Sequence, residues 1–404
     1  MHRLTRKTSG GILLLLTALL ALSVAACSDS TGEGGGDGND FEPITTERAE
    51  GPRTTASGSQ ASDGEPTTGS GPAPARRVEV STLATDLEVP WSFAFLPDGD
   101  ALVTERDSGR LLRVSPSGEV REVQTLPERG SGEGGLLGVA VSPDYEDDRY
   151  VYAYYTTAED NRVVRFRLGG RPRPILTGIP ANTYHDGGRI KFGPDGMLYV
   201  TTGDAGETAN SQDRSSLGGK ILRISPDGSV PGDNPFPGSP VYSYGHRNVE
   251  GLAWDAEGRL FASEFGKNTW DEVNRIVAGE NYGWPEVEGE GGEDQGYVDP
   301  ITVWATSEAS PSGAEILVDG AIPQWEGDLF VAALRGERLW RLELNARGEV
   351  VEREKLLDGE AGRIRDVAQA PDGSLWVSTS NRDSYGSPVS EQDDRILRLA
   401  PAGG

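Results

Sequence analysis

One short unit recurs along this chain and limits what it can fold into. A turn rich in Pro, Asp and Gly is followed by a run of Val, Leu, Tyr, Phe and Thr. The unit starts at Leu96 (LPDGDALVTER), Ser142 (SPDYEDDRYVYAYYT), Gly193 (GPDGMLYVTTGD), Trp254 (WDAEGRLFASEFG), Pro323 (PQWEGDLFVAAL) and Ala370 (APDGSLWVSTSN). Asp-Gly pairs suit a tight reversal, and the alternating run reads as a strand. A second strand often follows, as in GRLLRVSP, NRVVRFRL, GKILRISP and DRILRLAP. Little 3.6-residue periodicity separates the units, so helices are expected to be few. Six units at irregular spacings of roughly 45–70 residues predict an all-β fold, a six-bladed β-propeller with long loops in some blades. A β-sandwich is the alternative, but tandem turn–strand units favour radial repetition. The opening RVEVSTLA is expected to complete the last blade beside DRILRLA near Leu399. Repeated turns serve geometry, so chemistry is expected in the non-repeating loops at one mouth of the central channel.

The N-terminal region reads as an export signal. MHRLTRK is basic, GILLLLTALLALSVAA is apolar, and the run ends in small residues. Polar sequence follows at once, which argues against a permanent membrane span. Val24-Ala25-Ala26-Cys27 is similar to a bacterial lipobox, in which Cys27 becomes the lipidated first residue of the mature chain. The alternative is ordinary secretion with an unrelated cysteine. Cys27 is the sole cysteine, so no intramolecular disulfide can form. Ser28 to about Ala75 is Gly, Ser, Thr, Asp, Glu and Pro, too polar to offset its conformational entropy. The expected organisation is a signal peptide over 1–26, a disordered tether over 27–75 and a catalytic propeller over 76–404. The protein would be held outside the cell membrane, or in a periplasm, through the lipid on Cys27 alone.

The formal charge is −26, and removing Arg3, Arg6 and Lys7 with the signal takes it to −29. Such a charge argues against nucleic acid as a partner. It also means that any site for an anion must concentrate its cations locally.

The non-repeating loops are GEGGLLG at 132–138, YHDGGR at 184–189, YGHRN at 244–248, SEFGKNTWDEVN at 263–274, NYGWP at 281–285 and RIRDV at 363–367. Gly allows close backbone approach, and Arg or His beside it is what an anion site needs. The chain has three histidines: His2 in the signal, His185 and His246. His185 is therefore the main candidate for acid–base work near neutral pH, against the plainer reading of a hydrogen-bonded turn residue. His246 points away from Arg247 on an extended chain and reads as structural.

Taken in order, these loops resemble those of the soluble pyrroloquinoline-quinone (PQQ)-dependent sugar dehydrogenases, in particular the aldose sugar dehydrogenase branch. The resemblance runs from VPWSFAFLPDG at 89–99 to DDRILRLAP at 393–401. It implies a six-bladed propeller holding PQQ at one channel mouth, with calcium, an aldose substrate and an external electron acceptor. It implies His185 as the base that takes the anomeric hydroxyl proton, Asp204 as its orienting partner and Arg247 beside the quinone oxygen. Asp204 reads alternatively as a turn residue capping amides.

By the same resemblance Glu133, Arg247, Asn248, Trp304, Arg335, Arg363 and Arg365 surround the cofactor. A flat tricarboxylate needs cations and a flat contact. Arg363 and Arg365 are two apart on an expected strand and so face one side. Arg189 reads as a brace for its loop, and Trp304 reads equally as a core residue. Calcium suits an oxygen donor set, since no Cys/His cluster for zinc exists. The carbonyls of Gly266 and Lys267 match one family site, provided that the Lys267 side chain points away. Glu272 and the Tyr282 carbonyl match a second, although Asp271 and Glu272 also read as a solvated acidic pair. Two positions depart from the glucose-oxidising branch: Glu133 stands for Gln and Tyr184 for Asp, so glucose is expected to be a poor substrate.

Two other functions are compatible with a propeller. A calcium-dependent lactonase would gather carboxylate or Asn side chains on a channel metal, whereas these motifs are rich in Arg. A non-enzymatic binding propeller would have no use for His185 together with Arg247, Arg363 and Arg365.

Overall fold

The computed structural model describes residues 77–386 and 389–403. The expected export signal, lipid-bearing Cys27 and tether lie outside the described residues. Six four-stranded antiparallel sheets form the six blades of a propeller. Their first strands pack against one another around the axis, at Pro90–Phe95, Leu136–Val141, Ile190–Phe192, Val249–Trp254, Pro311–Ile316 and Ile364–Gln369. These are the inner strands of blades 1 to 6. Among the described residues the only α-helices are single turns at Tyr145–Asp148 and Ala209–Gln212, and no helix is long and apolar enough to cross a membrane.

The turns between first and second strands account for the sequence repeat. Gly99, Gly196, Gly258 and Gly373 take positive φ, and each preceding loop closes with a backbone bond such as Gly373 N–H to the Ala370 carbonyl, 2.8 Å. Second strands such as Leu329–Ala333 and Leu375–Thr379 are buried on both faces, because a neighbouring blade covers each side. Outer strands such as Val120–Thr125 face solvent.

The ring closes as the sequence predicts. Val78–Ala84 pairs with Ile396–Pro401, with Val80 opposite Leu399. Val78, Val80, Leu397 and Leu399 then join Trp325 and Phe330 of blade 5 in one apolar cluster. The two ends of the domain thus hold a single blade together.

Five of the six inner strands carry a bulge or register irregularity near their N-terminal end, at Pro90/Ser92, Leu136/Val139, Val249/Gly251, Pro311/Ala314 and Ile364/Asp366. A bulge breaks the two-residue alternation and re-aims the next side chain. Here the irregularity accompanies the polar residues of the axis. Arg189, just before the blade 3 inner strand, crosses the channel and joins four blades. Its Nη1 donates to Ser92 Oγ (2.9 Å) and Asp366 Oδ2 (2.8 Å), and its Nε donates to the Glu250 carbonyl (2.8 Å). Its guanidinium also lies 4.3 Å from the Trp91 ring centre. Arg365 Nη1 donates to Glu250 Oε2 at 2.8 Å, and Ser312 Oγ donates to the same oxygen at 2.8 Å. Beyond this layer the far halves of the inner strands line a cavity of about 250 Å³, with Phe93, Phe95 and Phe192 among its walls.

Two stability tests follow from this packing. Leu399→Ala should lower the unfolding free energy by about 2–5 kcal/mol. Val351→Ala, at a position 56% exposed, should change it by less than about 0.5 kcal/mol. Urea unfolding reads both, and equal effects would contradict the closure described. Arg189→Met leaves the Asp366 carboxylate buried without its cation and should cost about 3–5 kcal/mol at neutral pH. Burial already holds Asp366 above the ordinary carboxylate range, opposed by Arg189. The deficit should therefore shrink as pH falls and the carboxyl takes up its proton. A deficit that grows on acidification would contradict this assignment.

Candidate active site

The chain enters each inner strand and leaves each second strand at the same end of the propeller, because the two are antiparallel. His185, Arg247 and Arg363 precede inner strands, while Asp204, Gly266, Arg335 and Asp383 follow second strands. All seven therefore belong to one mouth.

His185 is held from three directions. Its ring Nδ1 lies 2.6 Å from Asp204 Oδ1, its backbone N–H donates to Glu133 Oε2 at 2.7 Å, and the Tyr184 ring meets it edge-on at 4.8 Å. The residue sits at φ +61°, in the left-handed region, a conformation that a β-carbon disfavours. The Glu133 contact and the packing of its carbonyl against Gly203 hold it there. A β-carbon at Gly203 would come within 1.9 Å of the His185 carbonyl oxygen, so Gly is required at that crossing. Asn248 Oδ1 accepts from Gly187 N–H at 2.9 Å and fixes the same loop. The ring Nε2 makes no hydrogen bond to a described residue and is not among the fully buried polar atoms, so it faces the open mouth.

Asp204 is fully buried. Its Oδ1 also accepts from Gly206 N–H (2.8 Å), and its Oδ2 accepts from the Trp284 indole N–H (2.9 Å). Burial would raise its pKa, but hydrogen bonds from His185, Trp284 and Gly206 outweigh this and hold the carboxyl below the ordinary range. With a charged acceptor on Nδ1, the neutral ring carries its proton there and presents a bare Nε2.

Arg247 reaches over the face of Trp284, 5.4 Å from the ring centre, and its Nη1 donates to the carbonyls of Gly266 and Phe265. Its Nε is buried without a partner among the described residues. Arg363 and Arg365 converge on an internal carboxylate. Arg363 Nε donates to Asp383 Oδ2 at 2.9 Å, and Arg365 Nη2 lies 3.7 Å from the same oxygen. Arg365 Nε is likewise buried and unpartnered. Buried guanidinium N–H groups without partners are donors that an anionic ligand would satisfy.

The remaining expectations divide. Trp304 is a core tryptophan and not a pocket aromatic: it is 2% exposed and stacks on Trp340 at 5.5 Å. It lies on Thr302–Ala305, the outermost strand of blade 4, farthest from the axis. Arg335 is exposed after the strand Leu329–Ala333, with no side-chain hydrogen bond to a described residue. Lys267 is exposed, and its backbone N–H donates to Glu288 Oε1 at 2.7 Å. The Asp271–Glu272 pair is not solvated. Asp271 is buried and accepts from the Gly266 and Ser310 N–H groups. Glu272 accepts from Gly289 N–H at 2.6 Å and lies opposite Glu264 in register. Burial and the Glu264 charge push the Glu272 carboxyl up to about 8. Tyr282 stacks on His246 at 4.6 Å, and the buried His246 bridges Glu264 and Ser243 at 2.8 Å each.

Sequence reasoning gave no role to Trp284, Asp383, Glu250 or Asp366. Trp284 lay in a quoted motif, and Glu250 and Asp366 directly follow Asn248-Val249 and Arg365. A buried cation implies a nearby acid, so the acids beside the motif arginines were the available signal. Asp383 had none.

The sequence model of the Glucose / Sorbosone dehydrogenase family matches residues 87–386. The structure of a PQQ-bound aldose sugar dehydrogenase from Streptomyces coelicolor is 51% identical, with a TM-score of 0.75, covering 81% of this chain and 99% of that one. An aldose sugar dehydrogenase of Escherichia coli (strain K12) is 30% identical over 361 residues, 80% of this chain and 93% of that protein. Quinoprotein glucose dehydrogenase B of Acinetobacter calcoaceticus is 33% identical over 302 residues, 63% of each chain. With a match over that much of its length, and with the mouth built as described, this chain belongs to the Glucose / Sorbosone dehydrogenase family.

Proposed function

We propose that this protein oxidises aldose sugars at C1 to the lactone, using PQQ and calcium at the channel mouth, with His185 as general base. The observation that carries the reading is the pairing of an oriented, open-faced His185 with orphaned N–H groups on Arg247 and Arg365. An anionic cofactor fits those donors. Arg247, Asn248, Arg363 and Arg365 would hold it, with Glu133 at the rim and Arg335 free to reach from solvent. Bound there, the quinone supplies a two-electron hydride acceptor. His185 Nε2 takes the proton from the anomeric hydroxyl, while Asp204 stabilises the imidazolium that forms. Arg247 sets a fixed positive charge where negative charge develops.

Among the described residues no three His, Cys, Asp or Glu side chains gather as a metal-binding group. A calcium ion would therefore rest largely on backbone carbonyls, those of Gly266 and Lys267, with Arg247 Nη1 releasing the Gly266 carbonyl to it. Lys267 suits this because its side chain is exposed. A second ion would use Glu272 and the Tyr282 carbonyl, where Glu264 and Glu272 bring two carboxyls together. The lipobox reading of Cys27 is retained as part of the proposal: a lipid anchor outside the cell, with electrons leaving to an external acceptor.

The test is turnover of the purified protein with PQQ, calcium, a panel of aldoses and an artificial acceptor. The wild type should oxidise at least one aldose. His185→Ala should lose about 10²–10⁴-fold in kcat while titrating PQQ as the wild type does. Near-normal turnover in His185→Ala would overturn the base assignment. A wild type that binds the quinone and oxidises no aldose would overturn the dehydrogenase reading.

A further inference from the structure

The loop NYGWP contributes one side chain that the proposed mechanism leaves without a chemical task. Trp284 is 7% exposed and touches both halves of the site. Its indole N–H donates to Asp204 Oδ2 at 2.9 Å, and its ring face lies 5.4 Å from the Arg247 guanidinium. Its backbone is itself fixed. The Trp284 N–H donates to the Gly245 carbonyl at 2.9 Å, and the Trp284 carbonyl accepts from Gln212 Nε2 at 2.7 Å. Gln212 and Asn281 exchange two further amide hydrogen bonds, at 2.8 and 3.1 Å.

We propose that Trp284 is a positioning residue that locks the His185–Asp204 pair and aligns Arg247 with it. The inference rests on the reading of His185 as the general base.

The physical need is specific. The last torsion of an aspartate is broad, so one hydrogen bond does not fix the plane of its carboxylate. Asp204 Oδ1 is shared by His185 Nδ1 and Gly206 N–H, both on one side of the group. Trp284 is the sole side-chain partner of Oδ2 among the described residues, and it lies 80 positions away along the chain. It therefore pins the plane of the carboxylate, and through it the ring of His185. The choice of donor matters as well. A Lys or Arg there would neutralise Asp204 and weaken its hold on an imidazolium, whereas indole is a neutral donor that leaves the charge in place. The same ring offers the flat face that a guanidinium seeks. One side chain thereby fixes the spacing between base and cation across the junction of blades 3 and 4.

The groups facing His185 are Asp204 on its ring nitrogen, Glu133 on its backbone, Tyr184 at its ring edge and Asp186 next in the chain. Arg247 lies beside Asp204, within reach of its charge. In Trp284→Phe only one of these interactions changes. Asp204 no longer shares its charge with the indole N–H, so its attraction for protonated His185 strengthens while its orientation loosens.

The experiment follows the histidine ring resonances of the full chain without quinone across pH, and the three histidines are separable with His185→Ala. Trp284→Phe should raise the His185 midpoint by about 0.5–1 pH unit. With quinone, calcium and an accepted aldose, kcat should fall about 10–100-fold with KM within about twofold, as expected when a group acts only in the reacting geometry. Quinone affinity should stay within about threefold, because Phe keeps a ring under Arg247, whereas Trp284→Leu should weaken it further. An unshifted His185 midpoint with unchanged kcat would overturn the proposal, as would equal quinone affinities in the Phe and Leu variants. If Trp284→Phe does not fold, the wild-type indole N–H resonance serves instead. It should move with the same midpoint as His185, and a flat profile would overturn the proposal. Because the titrations need no quinone, a wild type inactive on all aldoses would sink the dehydrogenase reading separately.

Discussion

Arg189 is the interaction on which the mouth depends. One guanidinium, buried on the propeller axis, ties Ser92 of blade 1, the Glu250 carbonyl of blade 4 and Asp366 of blade 6 to its own position at the start of blade 3. A buried charge is costly unless it is paired and hydrogen-bonded. The Asp366 pair, the two polar contacts and the Trp91 face offset most of that cost, while Nη2 is buried without a hydrogen-bond partner among the described residues. A propeller of separate blades could vary in pitch and tilt. A shared axial cation leaves the four inner strands one arrangement, and the loops above them inherit it. Arg365, Glu250 and Ser312 extend the layer, so the floor of the mouth is a connected polar network and not an open bore.

That floor explains how a strongly acidic protein can gather arginines at one mouth. The arginines above it are not simply surplus charge. Arg363 and Arg365 converge on Asp383, and Arg365 also meets Glu250. These internal counter-ions hold the guanidinium groups in place, while Nε atoms on Arg247 and Arg365 remain unpaired. The arrangement keeps the site formed in a chain of net charge −26 and still leaves donors for a ligand. His185 is treated differently. It is fastened through Nδ1 and its backbone, and only Nε2 is left to the opening.

The architecture was legible because it is written in repeats. The Pro/Asp/Gly turns, the alternating runs and the pairing of Val78–Ala84 with Ile396–Pro401 follow from local propensity and one long-range closure. The contact between His185 and Asp204 is the one the family resemblance implies. What the sequence concealed depends on which blade meets which. Trp304 has the same local signature as a pocket aromatic, but its strand is outermost and its ring finds Trp340 of the next blade. Asp383 and Trp284 reach the site from distant segments; no local pattern marks Asp383, and the NYGWP motif marks the loop of Trp284 without showing which residues it meets. Arg189 looked like a loop brace because its three partners lie between 61 and 177 residues away.

The central claim is that this mouth is a PQQ site, and an equilibrium titration tests it most directly. The purified protein would be titrated with PQQ in the presence of calcium, following the quinone absorbance, and an aldose would then be added without any other acceptor. The account predicts saturable binding of one equivalent, weakened in Arg365→Ala, and loss of the oxidised quinone absorbance when the sugar is added. Absence of saturable binding with calcium present would contradict it.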